Sequence, residues 1–371
     1  MPYIFMKVEL HSKVESVYRI LVERISGGAY PMGECLPTEF ELAAELECGR
    51  HTVSQAITRL VHEGLVERRR RVGTRVIRTT LHSNKPTVEL DAFAFIYPSD
   101  RHEGIWRTVN GFQGAARQGG RRVVTLTMGT DYEKEIELVS RLAEFDVKAA
   151  AIYPIVSSPQ VQIRLSSMLV ESKFPIVLVD LSLPGLRCPV VAVDNFHAGY
   201  TMTRHLLNSG LSRIGFLANY SWAPSVAERY RGYLWALEEA GKSVGANSVL
   251  LDESMNPNFD DPLLDTADLA KRYLDKKPKV EGVVCSQDYI ARGLIIAANA
   301  RGLRVPGDLK ITGIDGFSEQ SKDEIPLTTY HVPFEELGRK VFERLDSFQR
   351  NKPMPELETR VRGDVLVRAS G

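Results

Sequence analysis

No stretch of this chain approaches the roughly 18 consecutive apolar residues that a membrane-spanning helix requires, so a helical span is excluded from the reading. The first residues, Met1 to Leu10, hold one lysine and no apolar run ending in a small-residue cleavage site; no secretory signal is expected, and the cytoplasm is the expected compartment. Cysteine is scarce. Cys35, Cys48, Cys188 and Cys285 form no Cys-x-x-Cys pair and no Cys/His cluster, the usage of a reducing compartment, so neither disulfide nor zinc is expected. Also missing are a P-loop, a Gly-x-Ser-x-Gly elbow, a His-Glu-x-x-His pair and a Gly-x-Gly-x-x-Gly after the first strand, which removes the common signatures of an enzyme; no cofactor is expected. Net charge is lacking as well, 47 basic residues cancelling 47 acidic ones. The cancellation is not local: residues 1–80 carry a net +2 and the remainder −2, and Arg68, Arg69, Arg70, Arg71, Arg75 and Arg78 fall within eleven residues that contain no acid.

At 371 residues the chain exceeds one ordinary domain of roughly 100 to 200 residues. From Ser12 to Ser26, Val14, Val17, Tyr18, Leu21, Val22 and Ile25 recur at helical spacing before Gly27-Gly28. Pro37-Thr38-Glu39 opens a second helix carrying Leu42, Ala43 and Leu46, and a third runs from about Arg50 to Glu63 with Gly64 as its C-cap. Two short strands, about Leu65 to Arg68 and Thr74 to Ile77, flank the arginine-rich turn. Three helices and a hairpin in some 70 residues make a winged helix-turn-helix over 1–80.

Residues 81–90, including Asn84 and Pro86, read as a linker. Over 91–371 short apolar runs alternate with helical patterns: Ala92–Tyr97, Val123–Thr127, Ala149–Tyr153, Ile176–Asp180, Val190–Val193, Arg213–Ala218, Val280–Cys285 and Leu309–Ile314. That alternation implies an α/β domain of parallel sheets flanked by helices, in two lobes, with ligands bound at the carboxyl ends of the strands.

The stretch from Leu36 to Val76, with its Leu-Pro-Thr-Glu start, Glu-Leu-Ala, Arg-His-Thr-Val and Glu-Gly-Leu-Val segments, resembles the DNA-binding domain of the GntR family. The third helix begins with Arg50, His51, Thr52, Ser54 and Gln55, side chains able to donate to and accept from base edges in a major groove, where Arg pairs with guanine and Gln with adenine. Thr38 and Thr52 suit phosphate contacts at helix N-termini. The resemblance places Arg69, Arg70, Arg71 and Arg75 on a wing that follows the minor groove or the backbone. The chain departs from the family at Phe40, where the family carries an arginine.

Four later segments, beginning at Val193, Ser225, Val283 and Ile325, resemble in order and spacing the effector domain of the LacI/GalR family, a periplasmic-binding-protein-like (type I) fold. That resemblance implies that Arg229 and Asp315 hold ligand hydroxyls, a role suited to a planar guanidinium and a carboxylate. Ser225, a turn before Arg229, and Gln287 are further expected contacts. Aromatic residues at strand ends are candidates for a surface under a sugar ring, and Trp106 and Trp222 are favoured among them. His197 and Asn195 follow a strand and either line the pocket or, respectively, sit on the surface and cap the next helix.

These features together imply a sequence-specific transcriptional regulator that is not an enzyme. The expected form is a homodimeric repressor of carbohydrate-utilisation genes, bound to a double-stranded operator and released by a small sugar. The alternatives left open are an activator and a regulator answering a non-sugar metabolite. A sugar-transport or chemoreceptor protein, the rival for 91–371, has no use for a winged helix.

Overall fold

The computed structural model describes residues 13–62, 64–69, 73–79, 92–129, 132–140, 142, 147–156, 158–172, 174–183, 185–254, 263–318, 325–350 and 356–371. The chain divides into two compact units, Met1–Val88 and Glu89–Gly371.

The first unit holds α1 (Lys13–Ser26), α2 (Glu39–Glu45), α3 (Arg50–His62) and a hairpin of β1 (Val66–Arg69) and β2 (Gly73–Val76). Its core draws one stripe from each helix, with Leu21, Ile25, Leu42, Val53, Ile57 and Leu60 buried, and the hairpin closes it with Val66 and Val76. Thr38 caps α2 in a reciprocal box: its side chain accepts from the Glu41 amide, and its own amide donates to the Glu41 carboxylate at 2.7 Å. Gly64, at φ +70, ends α3 as its sequence position implies.

In the second unit one sheet contains β3 (Ala92–Tyr97), β4 (Arg122–Thr127), β5 (Val147–Ile152), β6 (Ile176–Val179), β7 (Val190–Val193) and β13 (Glu358–Val361), in the order β13-β7-β6-β5-β3-β4 and wholly parallel. The other contains β8 (Ile214–Ala218), β9 (Val249–Leu251), β10 (Gly282–Cys285), β11 (Lys310–Asp315), β12 (Thr328–His331) and β14 (Asp364–Leu366), in the order β14-β12-β11-β10-β8-β9, with only β14 antiparallel. Three connections pass between the sheets: β7 to α7 (Asn195–Asn208), β12 to α11 (Phe334–Gln349), and β13 to β14. Each sheet with its helices is a lobe.

Both faces of each sheet are covered. On β3, Phe93, Phe95 and Tyr97 join a cluster shared with α4 (Glu103–Gln118) and α11, while Ala92, Ala94 and Ile96 face a second cluster on the side of α5 (Tyr132–Ser140) and α6 (Pro159–Glu171). In the second lobe α7 and α8 (Pro224–Glu239) cover one face, and α9 (Leu264–Asp275) and α10 (Asp288–Ala300) the other.

The four strands β9, β12, β13 and β14 went unread in the sequence: β12, β13 and β14 carry polar residues, and β9 is an apolar run of only three. Thr328 and Thr329 of β12 are fully buried, with their hydroxyls hydrogen-bonded. The expected linker, 81–90, lies outside the described residues, as do Glu63, Arg70 and Arg71.

The same device sets the helix spacing in both lobes. A Cβ on Gly111 of α4 would stand 2.0 Å from the Glu335 carbonyl oxygen, and one on Gly338 of α11 1.9 Å from that of Thr108. In the second lobe a Cβ on Gly199 of α7 would meet the Arg229 carbonyl at 1.9 Å, and one on Gly232 of α8 that of Phe196 at 2.1 Å. Reciprocal glycines thus let each helix pair cross backbone to backbone. Gly114, one turn along α4 from Gly111, has open space beside it. Gly111→Ala is therefore expected to destabilise the second unit by about 1–3 kcal/mol, and Gly114→Ala to stabilise it by about 0.5–1 kcal/mol, both read by urea denaturation; equal effects would refute the crossing as the constraint.

Candidate functional site

In the first unit the candidate DNA-reading residues sit at the N-terminal end of α3 and beside it. Arg50 is largely exposed, with 73% of its side chain open, and His51 and Gln55 are exposed one turn apart, with Nε2 atoms at 3.2 Å. Glu39 organises their surroundings. Its carboxylate accepts from Ser54 Oγ at 3.1 Å and from Arg68 at 2.8 Å, and it lies 3.5 Å from Arg50. Ser54 is thereby half-buried and engaged, and Thr38, though exposed, spends its hydroxyl on the α2 cap. Thr52 is half-buried. Arg69 ends β1, its backbone opposite Gly73, and Arg75 lies mid-strand and half-buried rather than at an open tip. Phe40 is 76% exposed.

In the second unit a cavity of about 200 Å³ opens between the lobes, lined by residues that follow strand ends in both sheets. Arg229, on α8 and almost fully buried, is its centre. The guanidinium donates from Nε to Asn195 Oδ1 at 2.8 Å and from Nη1 to the Ser286 carbonyl, and it pairs with Asp315 at 3.2 Å. Asp180, at the end of β6, accepts from Tyr153 Oη at 3.2 Å and from the Val193 amide at 3.0 Å. Asp315 and Asp180 both hold positive φ, +141° and +56°, backbone states that cost energy and persist only where the surroundings enforce them.

Burial pushes the Asp315 carboxyl up to about 8, against the pull of Arg229 and with the help of Asp288. Burial also raises Asp180. His102, half-buried beside Arg229, is pushed down to about 4 by desolvation and by that positive charge, which favours the neutral imidazole. Among the described residues lining the cavity Arg229 is the only lysine or arginine, and it faces two carboxylates. The remaining polar groups are those of Ser225, Gln287, Asn219 and three tyrosines, Tyr153, Tyr220 and Tyr289. Asn219 is buried, and its Oδ1 has no hydrogen-bond partner among the described residues.

The structure thus brings Ser225, Arg229, Gln287 and Asp315 together and leaves three expected contacts outside. Ile105 lines the cavity, but Trp106 follows it on α4, about 100° further round the helix, and stands half exposed. Trp222 packs against the apolar cluster that includes Ile152, Val156 and Leu181. His197 is held by Tyr330 Oη at 2.9 Å beside the lobe connections, and Asn195 supports Arg229 while Asp194 caps α7. Asp180 and Asn219 were missed by sequence reasoning; the signal available was a polar residue closing an apolar strand run. Among the described residues no group of three or more His, Cys, Asp or Glu could hold a metal, and no helix is long and apolar enough to cross a membrane.

A winged helix-turn-helix reader on a two-lobed, ligand-binding α/β domain defines a ligand-responsive transcriptional regulator of the repressor class, not an enzyme. Residues 13–76 match the bacterial regulatory proteins of the gntR family and residues 203–370 the periplasmic binding protein-like domain, so a gntR-type DNA-binding domain is joined to a periplasmic-binding-protein-like domain. It is similar to the arabinose metabolism transcriptional repressor of Geobacillus stearothermophilus, 27% identical over 373 residues that cover 98% of this chain and 97% of that protein. The fold is shared with the transcription regulator CcpA of Lactococcus lactis (TM-score 0.64, 22% identity, 75% of this chain and 98% of the other). It is shared also with the lac repressor dimer bound to operator and an anti-inducer (TM-score 0.65, 18% identity, 77% and 95%).

Arg50→Ala is expected to weaken specific operator binding by about 1–3 kcal/mol and leave effector binding intact, whereas Asp315→Ala keeps operator binding and loses the response to effector; titrating both ligands into each variant checks this, and loss of both activities in both variants would refute the division of labour. Because the native carboxyl of Asp315 keeps its proton to about pH 8 while the unfolded one releases it near 4, the native state binds more protons between those values. Its contribution is therefore full below pH 4 and is lost as pH rises toward 8. Asp315→Asn should flatten that slope in urea denaturation measured across pH 4–9.

Proposed function

We propose that this protein is a cytoplasmic, homodimeric repressor of carbohydrate-utilisation genes, released from a pseudo-palindromic operator when an uncharged sugar the size of one ring enters the cavity at Arg229. The observation that carries the ligand class is the charge balance of that cavity. Its one guanidinium is already engaged by Asp315, Asn195 and Ser286, so a phosphate or carboxylate on the ligand would leave water without a free cation to pair with, beside the two acids Asp315 and Asp180. Hydroxyls, in contrast, donate to Asp315 and Asp180 and accept from the tyrosine hydroxyls, and the tyrosine rings supply the apolar face that a sugar ring needs. The name of the relative from G. stearothermophilus makes arabinose the first sugar to test, and the dimeric state of the solved lac repressor supports two readers facing two half-sites.

Thr38, Arg50, His51, Thr52, Ser54, Gln55, Arg69, Arg70, Arg71 and Arg75 are the proposed DNA contacts. Ser225, Arg229, Gln287 and Asp315, joined by Asp180, Tyr153 and Asn219, are the proposed effector contacts. Ligand binding to the two-lobed domain alters operator affinity only through unequal affinity for the DNA-competent and released states, and residues 79–90 carry that difference to the reader.

The test is fluorescence anisotropy of an operator fragment at fixed salt, because phosphate contacts make affinity salt-dependent. L-arabinose, other neutral sugars, and their phosphates and acids are titrated in. Release by a neutral sugar, with its phosphate at least roughly 100-fold weaker, is the expected result; release by a sugar phosphate or sugar acid at lower concentration would overturn the charge argument.

A further inference from the structure

We infer that Glu103 and Arg107 of α4 are positioning residues that latch the two lobes beside Asp315, so that cleft closure and the placing of that carboxylate are one event. The inference rests on the effector reading of the cavity. Asp315 is the last residue of β11, and the peptide leaving it bends sharply, with φ of +141° at Asp315 and +75° at Gly316. Its own lobe holds this turn in two places: the Gly316 amide donates to Thr329 Oγ1 at 3.2 Å, and the Phe317 amide to the Asp288 carboxylate at 2.8 Å. The opposite lobe holds it in two more. The Ser318 amide donates to both oxygens of Glu103 at 3.1 Å, with Ser318 Oγ at the same distance, and Arg107 Nη1 donates to the Gly316 carbonyl at 3.4 Å.

Arg107 is itself oriented within its own lobe by two bonds to Glu335, at 2.8 and 2.9 Å, which set its free edge toward Gly316. An apolar seam lies next to the latch. His102 meets Phe317 edge-on at 5.3 Å and Tyr289 at 6.1 Å, and Phe317 stacks on Phe334 at 6.0 Å. His102 and Phe334 come from one lobe, Tyr289 and Phe317 from the other, and His102, Tyr289 and Phe334 also line the cavity. The groups that seal this side of the cavity are therefore those that join the lobes. Opening the cleft breaks charge-assisted bonds to Ser318 and Gly316, exposes the seam, and frees the turn that aims Asp315 at the ligand.

The test uses the full chain, first without ligand. Glu103→Ala and Arg107→Ala are expected to increase the radius of gyration in small-angle X-ray scattering, and Glu103→Gln, which keeps an acceptor for Ser318, to remain near wild type. In the operator assay with L-arabinose as probe, the alanine variants are expected to bind operator at least as tightly as wild type and to need about tenfold more sugar for half-release. An unchanged radius of gyration, or an unchanged half-release concentration in a protein that responds to the sugar, overturns the latch. A wild type indifferent to L-arabinose counts against the choice of sugar, and the ligand-free scattering then decides the latch alone. Operator binding without sugar is the control for folding. If the alanine variants fail it, Ser318→Ala, a substitution on an exposed residue, takes their place with a smaller shift in the same direction, and no shift there overturns the latch as well.

Discussion

A buried guanidinium is the constraint on which the second unit depends. Removing a charge from water costs several kcal/mol unless its donors are satisfied. Arg229 meets that requirement with groups from three places: Asn195 just after the first passage between lobes, the Ser286 carbonyl after β10, and Asp315 at the end of β11. These places must hold fixed positions for the charge to be tolerated. The cavity is therefore shaped before any ligand enters it. Asp315 and Asp180 adopt costly backbone states because the same network, together with Tyr153 and the Val193 amide, fixes their carboxylates.

Arg229 reaches this position because α8 lies hard against α7. The Gly199 backbone touches the carbonyl of Arg229 itself, so helix spacing and site geometry are one constraint. The first lobe repeats the arrangement with α4 and α11, which brings Glu103 and Arg107 to the edge of the other lobe. Between the two helix pairs run the connections, braced by His197 on Tyr330, by Tyr330 on the Gly363 amide, and by Arg362 on Asp194. Movement of one lobe against the other is thus confined to a few braced residues, as a hinge requires.

Much of this was legible in the sequence. The three helices and hairpin of the reader declare themselves through local periodicity, the Thr38 cap and the glycine stops. The eight apolar strand runs do so through short alternating segments between helical patterns. Arg229 and Asp315 were singled out through the resemblance of their segments to the LacI/GalR effector domain. The aromatic candidates were not. Trp106 and Trp222 follow strand ends as ligand contacts do, but which way a side chain points depends on where the helix or loop is packed, and one residue of rotation separates Ile105 in the cavity from Trp106 on the surface. His197 was misplaced for a related reason: the strand it follows leads into a lobe connection.

By itself, the sequence determined the reader's helices and hairpin, most strands of the second unit and which chemistry each half carries, a cationic helix-and-wing reader and a parallel α/β domain with an arginine on a helix and an acid at a strand end. Hydrophobic period, caps and turn residues act over a few positions, so they can be read along the chain. Only the tertiary structure decided which side chains share the cavity, that Asp180 and Asn219 belong to it, that glycines set both helix crossings, and that α4 grips the turn after Asp315. Those relations join residues far apart in the chain, and they exist only once packing has brought the two sheets together.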